Sequence, residues 1–193
     1  MSTVKMLQPT SVDAYLEEEQ LSTVRHELVG WQSYAMTGAS NVHNLLAGNL
    51  YSSLRAWIKK PCQVCMSDMK VSVDDNFYYP DVVVACQTSP APFYYMTTPV
   101  LIAEVLSAST EIRDRLEKRL AYQRLNSLQE YVLISQDMAH IEIYRRTSEG
   151  WELESCGIGD VIQLPGGTIL QPPILHHRCG PINTPFVEFA AGA

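Results

Sequence analysis

The stretch PVLIAEVLS, residues 99–107, decides the fold prediction because one carboxylate, Glu104, interrupts an otherwise apolar run. Nearly continuous apolar runs of this length are typical of strands that are buried on both faces of a sheet. A carboxylate inside such a strand is costly unless it gains a partner or becomes neutral. We therefore predict a central strand over residues 100–106 and a cation or basic side chain beside Glu104.

A second carboxylate stands at the start of another apolar strand. Asp81 precedes three consecutive valines, residues 82–84. Two neighbouring carboxylates repel each other unless a cation lies between them, and carboxylate oxygens suit Mg²⁺. The residues alone leave two interpretations open. Asp81 and Glu104 bind a metal ion, or Asp81 caps a turn while Glu104 forms a buried ion pair with Lys118 or Arg113.

Helices and strands alternate around this central strand. We expect a short helix near residues 12–19, a long helix that begins after a cap at Ser40 or Asn41 and ends before Pro61, and a helix over residues 111–125. A β-hairpin is expected over residues 24–36, with Gly30 at its turn. Further strands are expected near residues 62–66, 69–73, 78–85, 131–135, 141–146 and 151–155. The pattern predicts an α/β fold with a central mixed β-sheet flanked by helices.

Length and charge limit the class of protein. The 193 residues, 46% of them hydrophobic, fit one domain, and we expect an irregular tail from about residue 171. A net charge of −7 disfavours broad, sequence-independent adhesion to nucleic acid, which relies on many basic contacts to phosphates. It does not exclude a nuclease, since a bound cation inverts the local field of the acidic residues that hold it.

The cysteines and the N-terminus bear on the compartment. Five cysteines without regular spacing favour free thiols in a reducing environment. Cys62 and Cys65 form a C-x-x-C pair that could bind zinc if His176, His177 and Cys179 completed the site, and this alternative stays open. With neither a signal segment nor a long apolar run, the sequence predicts a cytoplasmic protein outside the membrane.

The order of several short motifs along the chain is more specific than any one of them. The motifs are RHELVG (25–30), YPD (79–81), PVLIAEVLS (99–107), the helix residues Thr110, Asp114, Lys118 and Tyr122, and SLQEYVL (127–133). In this order they resemble the Uma-type restriction endonuclease family, once catalogued only as a domain of unknown function, within the PD-(D/E)XK nuclease superfamily. The similarity runs from about Val12 to about Leu164.

The resemblance implies a restriction-endonuclease-like fold and a Mg²⁺-dependent DNA endonuclease, with Mn²⁺ as a substitute metal. It makes Asp81 and Glu104 metal ligands and catalytic residues, with Glu27 as a third acidic contributor. The superfamily pattern places a lysine two residues after the glutamate, where this chain has Leu106. Lys118 is the predicted replacement, because it would orient the attacking water near the metal.

Several further residues receive predictions. Asp114, Lys118 and Tyr122 lie at i, i+4 and i+8 on one helix and form a stripe that could face the carboxylates. Asp114, Tyr122 and His43 are candidate substrate contacts, although His43 could equally be a hydrogen-bonded structural residue. Lys70 is a second candidate for the missing lysine.

The opposite side of the same helix has a different character. Ile112, Leu116 and Leu120 form an apolar stripe there, which indicates a homodimer contact. Two other functions stay open beside the endonuclease. One is an inactive nuclease-fold protein that binds nucleic acid or regulates, and the other is a metal-dependent hydrolase of small phosphoesters.

Overall fold

The structure is a computed structural model that describes residues 9–86, 92, 94–164 and 169–170. The described residues form a mixed α/β fold with two large sheets and a two-stranded one. The tail predicted from about residue 171 lies outside them. The prediction of a central mixed sheet flanked by helices is confirmed.

Three helical segments lie in the described part of the chain. They are α1 (Val12–Leu21), α2 (Asn41–Trp57) and a composite helix over residues 111–122. The composite helix joins the α-helix Glu111–Arg113, the π-helical turn Asp114–Lys118 and the α-helix Arg119–Tyr122, so it ends three residues before the predicted Leu125. None of these helices has the length and apolar character needed to cross a bilayer.

Serine side chains begin the first two helices. Oγ of Ser11 accepts a hydrogen bond from the backbone N–H of Ala14, and Oγ of Ser40 accepts one from the N–H of His43 at 3.0 Å. Each bond satisfies a backbone donor that has no partner within its helix. The predicted cap at Ser40 is therefore confirmed.

Thirteen strands are described, most of them close to their predicted positions. They are β1 (His26–Val29), β2 (Gln32–Ala35), β3 (Cys62–Met66), β4 (Lys70–Val73), β5 (Asn76–Tyr78), β6 (Val82–Cys86), β7 (Tyr95–Met96), β8 (Pro99–Val105), β9 (Glu130–Ile134), β10 (Ile141–Thr147), β11 (Gly150–Cys156), β12 (Ile162–Gln163) and β13 (Ile169–Leu170).

The central sheet has six strands in the order β11-β10-β9-β8-β6-β3. Only β8 and β9 are parallel in it, and the composite helix connects them, because parallel neighbours need a crossover rather than a tight turn. β6 runs antiparallel to β8, with Val82 opposite Ala103. The start of β6 and the end of β8 therefore meet at the same end of the sheet.

A second, smaller sheet has the order β2-β1-β5-β4-β7. The predicted hairpin is confirmed as β1 and β2, and its turn places Gly30 and Trp31 at φ of 55° and 66°. The single strand predicted over residues 78–85 is wrong, because the chain changes sheets there. Tyr78 ends β5 in the small sheet and Val82 begins β6 in the central one.

Buried side chains cover both faces of the central sheet. On one face, α2 packs through Leu46, Leu50 and Leu54. On the other face, the composite helix and the small sheet bury a second cluster that contains Tyr122 and Tyr131. α1 packs on the small sheet, where Tyr15, Leu28 and Phe77 form a third cluster. The central strands are buried on both sides, as their apolar sequences predict.

The cysteines depart from the prediction. Cys62 and Cys86 occupy paired positions on β3 and β6 and form a disulfide, so the prediction that all cysteines are free thiols is wrong for these two. Cys65 is free, and a zinc site shared by Cys62 and Cys65 is not compatible with this bond. The histidines and the cysteine proposed to complete that site lie outside the described residues. Disulfides are rare in the cytosol, so the cytoplasmic prediction loses one of its supports.

Candidate active site

A cleft of about 470 Å³ opens where the start of β6 and the end of β8 meet. The β1–β2 hairpin, the first turn of α2 and the beginning of the composite helix form its other walls. Six of the residues singled out in the sequence line this cleft: Glu27, His43, Asp81, Glu104, Asp114 and Lys118. The fold thus gathers side chains from five separate elements at one site.

Asp81 and Glu104 lie side by side at the sheet end. The backbone N–H of Asp81 donates to Oε2 of Glu104 at 3.4 Å. In the reverse direction, the N–H of Val105 donates to Oδ2 of Asp81 at 2.7 Å. These cross-strand bonds fix both carboxylates relative to the central sheet. Glu104 is buried, whereas Asp81 is partly exposed at the cleft floor.

Lys118 reaches the carboxylates from the composite helix. Its Nζ lies 3.1 Å from Oε1 of Glu104, 3.2 Å from Oε1 of Glu27 and 3.4 Å from Oδ1 of Asp114. The π-helical turn shapes this part of the helix. The carbonyl of Asp114 accepts from the N–H of Arg119, five residues on, and also from the hydroxyl of Tyr131 at 3.0 Å. Such turns occur often at functional sites.

Glu27 joins the cleft from β1. Its Oε1 accepts from the backbone N–H of Tyr79 at 3.0 Å and contacts Lys118, while its Oε2 lies 2.7 Å from Arg113. Both oxygens are therefore engaged by donors. This geometry fits a residue that holds the two basic side chains better than it fits the predicted metal ligand.

Charges in the cleft are out of balance, since three basic groups, Arg25, Arg113 and Lys118, face the five carboxylates of Glu27, Asp68, Asp81, Glu104 and Asp114. Burial, with the carboxylates of Asp114, Asp81 and Glu27, raises the pKa of Glu104 well above its ordinary value, against the opposing effect of Lys118. Burial alone would lower the pKa of Lys118, but the surrounding carboxylates outweigh it and raise that pKa. The excess negative charge favours a bound cation.

His43 contacts Asp81 from the first turn of α2. Its Nε2 lies 3.1 Å from Oδ2 of Asp81, and both side chains are partly exposed in the cleft. Burial lowers the pKa of His43, but the hydrogen bond and charge of Asp81 outweigh it and raise the pKa above its ordinary value. The position is compatible with the predicted substrate contact.

Tyr122 and the two alternative lysine positions lie away from the cleft surface. Tyr122 is fully buried and its hydroxyl donates to Oε1 of Glu104 at 3.1 Å, so it supports Glu104 and cannot be the predicted substrate contact. Leu106 packs in the core. Lys70 lies over the rings of Tyr15 and Tyr79 and does not line the cleft, which leaves Lys118 as the lysine of the site.

Two residues of the site were missed in the sequence. Tyr34 lines the cleft from β2, and its neighbour across the hairpin is Glu27. Gln136 donates to the carbonyl of Leu106 and accepts from Oγ of Ser40, which ties the end of β8 to the start of α2. Alternation in the hairpin could have indicated Tyr34, because residues paired across strands share a face. No sequence pattern indicated Gln136.

The donor set fits a Mg²⁺ ion. Asp81 and Glu104 offer hard oxygen ligands at one point of an open cleft, and the neighbouring charges favour a cation there. Among the described residues no group of three or more acidic, histidine or cysteine side chains is arranged to hold a metal ion. Mg²⁺ commonly takes one or two carboxylates and completes its shell with water and substrate oxygens, so two ligands are sufficient.

Sequence comparisons identify a matching family and two similar proteins. A family model described as "Uma2: Putative restriction endonuclease" matches residues 12–176. Two uncharacterized proteins of Synechocystis sp. (strain ATCC 27184 / PCC 6803 / Kazusa) are similar. The protein slr1290 is 31% identical over 159 residues, which is 80% of this chain and 84% of the relative. The protein sll1609 is 31% identical over 155 residues, which is 77% of this chain and 86% of the relative.

A solved structure supports the fold. The crystal structure of a putative nuclease belonging to DUF820, from Anabaena variabilis ATCC 29413, aligns with a TM-score of 0.72 at 15% sequence identity. The alignment covers 89% of this chain and 99% of that one. The restriction-endonuclease-like fold that the motifs predicted is confirmed by this likeness.

Proposed function

The chain belongs to the Uma2 family, and from this premise we propose that it is a Mg²⁺-dependent DNA endonuclease that hydrolyses phosphodiester bonds. One observation carries the proposal. Asp81 and Glu104, from neighbouring strands, meet Lys118 at a single open cleft. The family description and the nuclease-like fold support the same reaction class.

Each side chain has a distinct part in the proposed reaction. Asp81 and Glu104 would hold the ion, and Mn²⁺ would serve as a substitute. When bound, the ion would lower the pKa of a water molecule and would shield developing charge on the phosphate. Lys118 orients the attacking water and stabilises negative charge on the phosphate. Glu27 holds Lys118 in place through the contact of 3.2 Å between them, and Tyr122 fixes Glu104 by its hydrogen bond.

Cleavage of supercoiled and linear DNA by the purified protein with Mg²⁺ or Mn²⁺ tests this proposal. We expect the wild type to cleave, and Asp81→Asn and Glu104→Gln to lose at least about a hundredfold in rate, because each removes a charged metal ligand. Glu149→Gln, an exposed carboxylate on the β10–β11 turn, is the matched control and should cleave like the wild type. Equal cleavage by all four proteins would indicate a contaminant and overturn the site.

A binding measurement separates metal binding from catalysis. Mg²⁺ should raise the melting temperature of the wild type and of Glu149→Gln, because an ion that binds only the folded state stabilises it. The same titration should have no effect on Asp81→Asn or Glu104→Gln. A rise of equal size in all four proteins would show that the ion binds elsewhere.

A second candidate function is a nucleic-acid-binding or regulatory protein that has kept the fold and lost the reaction. Leu106 at the superfamily lysine position, and a Lys118 already engaged by three carboxylates, favour it. DNA binding without cleavage under either metal would support this candidate. Hydrolysis of nucleotides but not of DNA would instead support the small-phosphoester hydrolase, whose substrates fit a cleft of this volume.

The exposed side of the composite helix supports a homodimer as part of the proposal. Ile112, Leu116 and Leu120 are 78%, 55% and 56% exposed and follow one another along the helix. An apolar row of this kind on an otherwise charged helix is typical of a contact surface. A second copy would bury the row by packing helix against helix.

A further inference from the structure

The β1–β2 hairpin brings an exposed aromatic side chain to the edge of the carboxylate cleft. β2 is the edge strand of the small sheet, and all four of its residues are exposed. Tyr34 is 46% exposed and lines the cleft together with Met36. Its partner across the hairpin is Glu27, which itself contacts Lys118. Glu27 thus links Tyr34 to Lys118, the proposed catalytic residue.

Two contacts fix the orientation of the Tyr34 ring. Its hydroxyl donates to Oε1 of Gln32 at 3.0 Å. The guanidinium of Arg113 lies 5.6 Å from the ring centre, and Arg113 is itself anchored by Glu27 at 2.7 Å and by Glu117 at 3.3 Å. The exposed part of the ring is therefore a positioned apolar surface at the cleft mouth.

The cleft offers few basic groups for a duplex to contact. Lys and Arg side chains contribute three of its lining residues, and each has a carboxylate partner: Asp68 for Arg25, Glu27 for Arg113 and Glu104 for Lys118. The whole chain carries a net charge of −7. Duplex binding draws its affinity mainly from many phosphate contacts, whereas base stacking on an aromatic ring does not depend on net charge.

Stacking on a side chain requires a base with a free face. In a continuous duplex both faces of each base are covered by its neighbours, but a base in a single strand, an overhang or a bubble can present one. From the pairing of Tyr34 with Glu27 beside the carboxylates, we propose that the cleft selects DNA with unpaired nucleotides, one of which stacks on Tyr34. This inference rests on the proposed nuclease function and names its substrate class.

Fluorescence anisotropy with labelled oligonucleotides tests the inference without cleavage. One sequence is presented as a single strand, as a duplex and as a duplex with an unpaired bubble, in EDTA. We expect the wild type to bind the single strand and the bubble at least about fivefold more tightly than the duplex. Tyr34→Ala should weaken single-strand binding roughly tenfold, whereas Tyr34→Phe, which loses the bond to Gln32 but keeps the ring and its contact with Arg113, should bind like the wild type.

Two controls isolate stacking. Trp57→Ala removes an aromatic side chain of similar exposure at the other end of α2 and should leave binding unchanged. A single strand with an abasic position at the stacked nucleotide should bind the wild type as weakly as Tyr34→Ala binds the intact strand. That probe needs no change in the protein, so it stays informative if Tyr34→Ala disturbs the hairpin.

Other outcomes overturn the inference and leave the nuclease proposal to be judged separately. Duplex binding as tight as single-strand binding, or no effect from Tyr34→Ala and from the abasic probe, would overturn it. The same DNA panel is then incubated with Mg²⁺ and its cleavage measured. Equal cleavage of duplex and single strand by both the wild type and Tyr34→Ala would remove the substrate preference and keep the nuclease. Tyr34-dependent binding without cleavage would keep the preference and remove the nuclease.

Discussion

Nζ of Lys118 lies 3.1 Å from Oε1 of Glu104, and both side chains are buried. Fourteen residues of sequence separate them, and the crossover from β8 through the composite helix brings them together. Glu104 stands on a strand that is buried on both faces, where an unpaired carboxylate would be costly. The ammonium group therefore serves stability as well as the proposed reaction.

Removal of the Lys118 ammonium should destabilise the protein. In Lys118→Met, a side chain of similar length leaves the carboxylates of Glu104, Glu27 and Asp114 buried without this cation. Breaking a buried ion pair from one side typically costs about 3–5 kcal/mol, and we expect a loss in this range in urea unfolding at neutral pH.

A lysine elsewhere gives the comparison for this variant. Lys59→Met removes an exposed lysine whose Nζ bonds to the carbonyl of Ala56, and it should cost less than about 1 kcal/mol. Cleavage should fall in Lys118→Met and not in Lys59→Met. A Lys118→Met protein as stable as Lys59→Met would show that the carboxylates do not depend on this ammonium.

Tyr122 is expected to act through Glu104, because its hydroxyl donates to Oε1 of Glu104. Tyr122→Phe removes this hydroxyl and keeps the ring packed against Tyr78 and Tyr131. We expect a stability loss of about 1 kcal/mol. Because the hydroxyl orients a proposed metal ligand, the Mg²⁺ concentration for half-maximal cleavage should also change. That concentration is measured by titration of the metal in the cleavage assay.

Tyr131→Phe is the matched control for this effect. Tyr131 is equally buried, but its hydroxyl donates to the backbone carbonyl of Asp114, whereas that of Tyr122 donates to Glu104. Its loss should lower stability by a similar amount and leave the Mg²⁺ requirement as in the wild type. If both variants changed the Mg²⁺ requirement equally, the effect would come from packing and Tyr122 would have no particular role.

The sequence predicted the chemistry of the site better than the path of the chain around it. Glu104 in an apolar run and Asp81 before three valines could be predicted as site residues, because a buried carboxylate requires a partner. The order of motifs then pointed to Lys118 on the following helix. The π-helical turn that carries Lys118 was not predicted. Such a turn adds one residue to a helix, and the residue types in it do not differ from those of an ordinary helix.

Long-range pairing accounts for most of what was missed. The small sheet joins β7 to β4 and β5 to β1 across many residues, and no local pattern specifies such partners. The disulfide has the same origin, because Cys62 and Cys86 face each other only once β3 is aligned with β6. Tyr34 could have been predicted only from the pairing of the two hairpin strands, which places it opposite Glu27.

Glu130 should make stability depend on pH. It is buried on β9, and burial, with a smaller contribution from Glu154, raises its pKa from 4.5 to about 7, although Arg145 opposes the shift. Between these two pKa values the folded state holds a proton that the unfolded state releases. This group therefore contributes a stability that falls as pH rises from 4.5 to about 7 and is constant above that.

Replacement by a neutral isostere should remove this dependence. The free energy of unfolding of Glu130→Gln minus that of the wild type should rise by about 2 kcal/mol from pH 5 to pH 8, because one pKa unit corresponds to about 1.4 kcal/mol. Urea unfolding at intervals of pH measures the difference. Glu154→Gln changes an exposed carboxylate that also contacts Arg145 and should show no such gain. A difference independent of pH would show that Glu130 titrates normally.

The apolar row on the composite helix should determine the oligomeric state. Leu116 lies at the centre of the row and is 55% exposed, so Leu116→Glu would place a charge in the middle of the proposed dimer contact. A charge buried without a partner is costly, and the variant should therefore be monomeric at concentrations where the wild type is a dimer. Sedimentation velocity over a range of protein concentrations measures this difference.

Leu153→Glu controls for the added charge. Leu153 is also 55% exposed, but it lies on β11 at the edge of the central sheet. This variant should sediment like the wild type, because its surface is not part of the row. A wild type that stays monomeric at every concentration, or a Leu116→Glu protein that dimerises as tightly as Leu153→Glu, would exclude the helix row as the contact and require another explanation for its exposure.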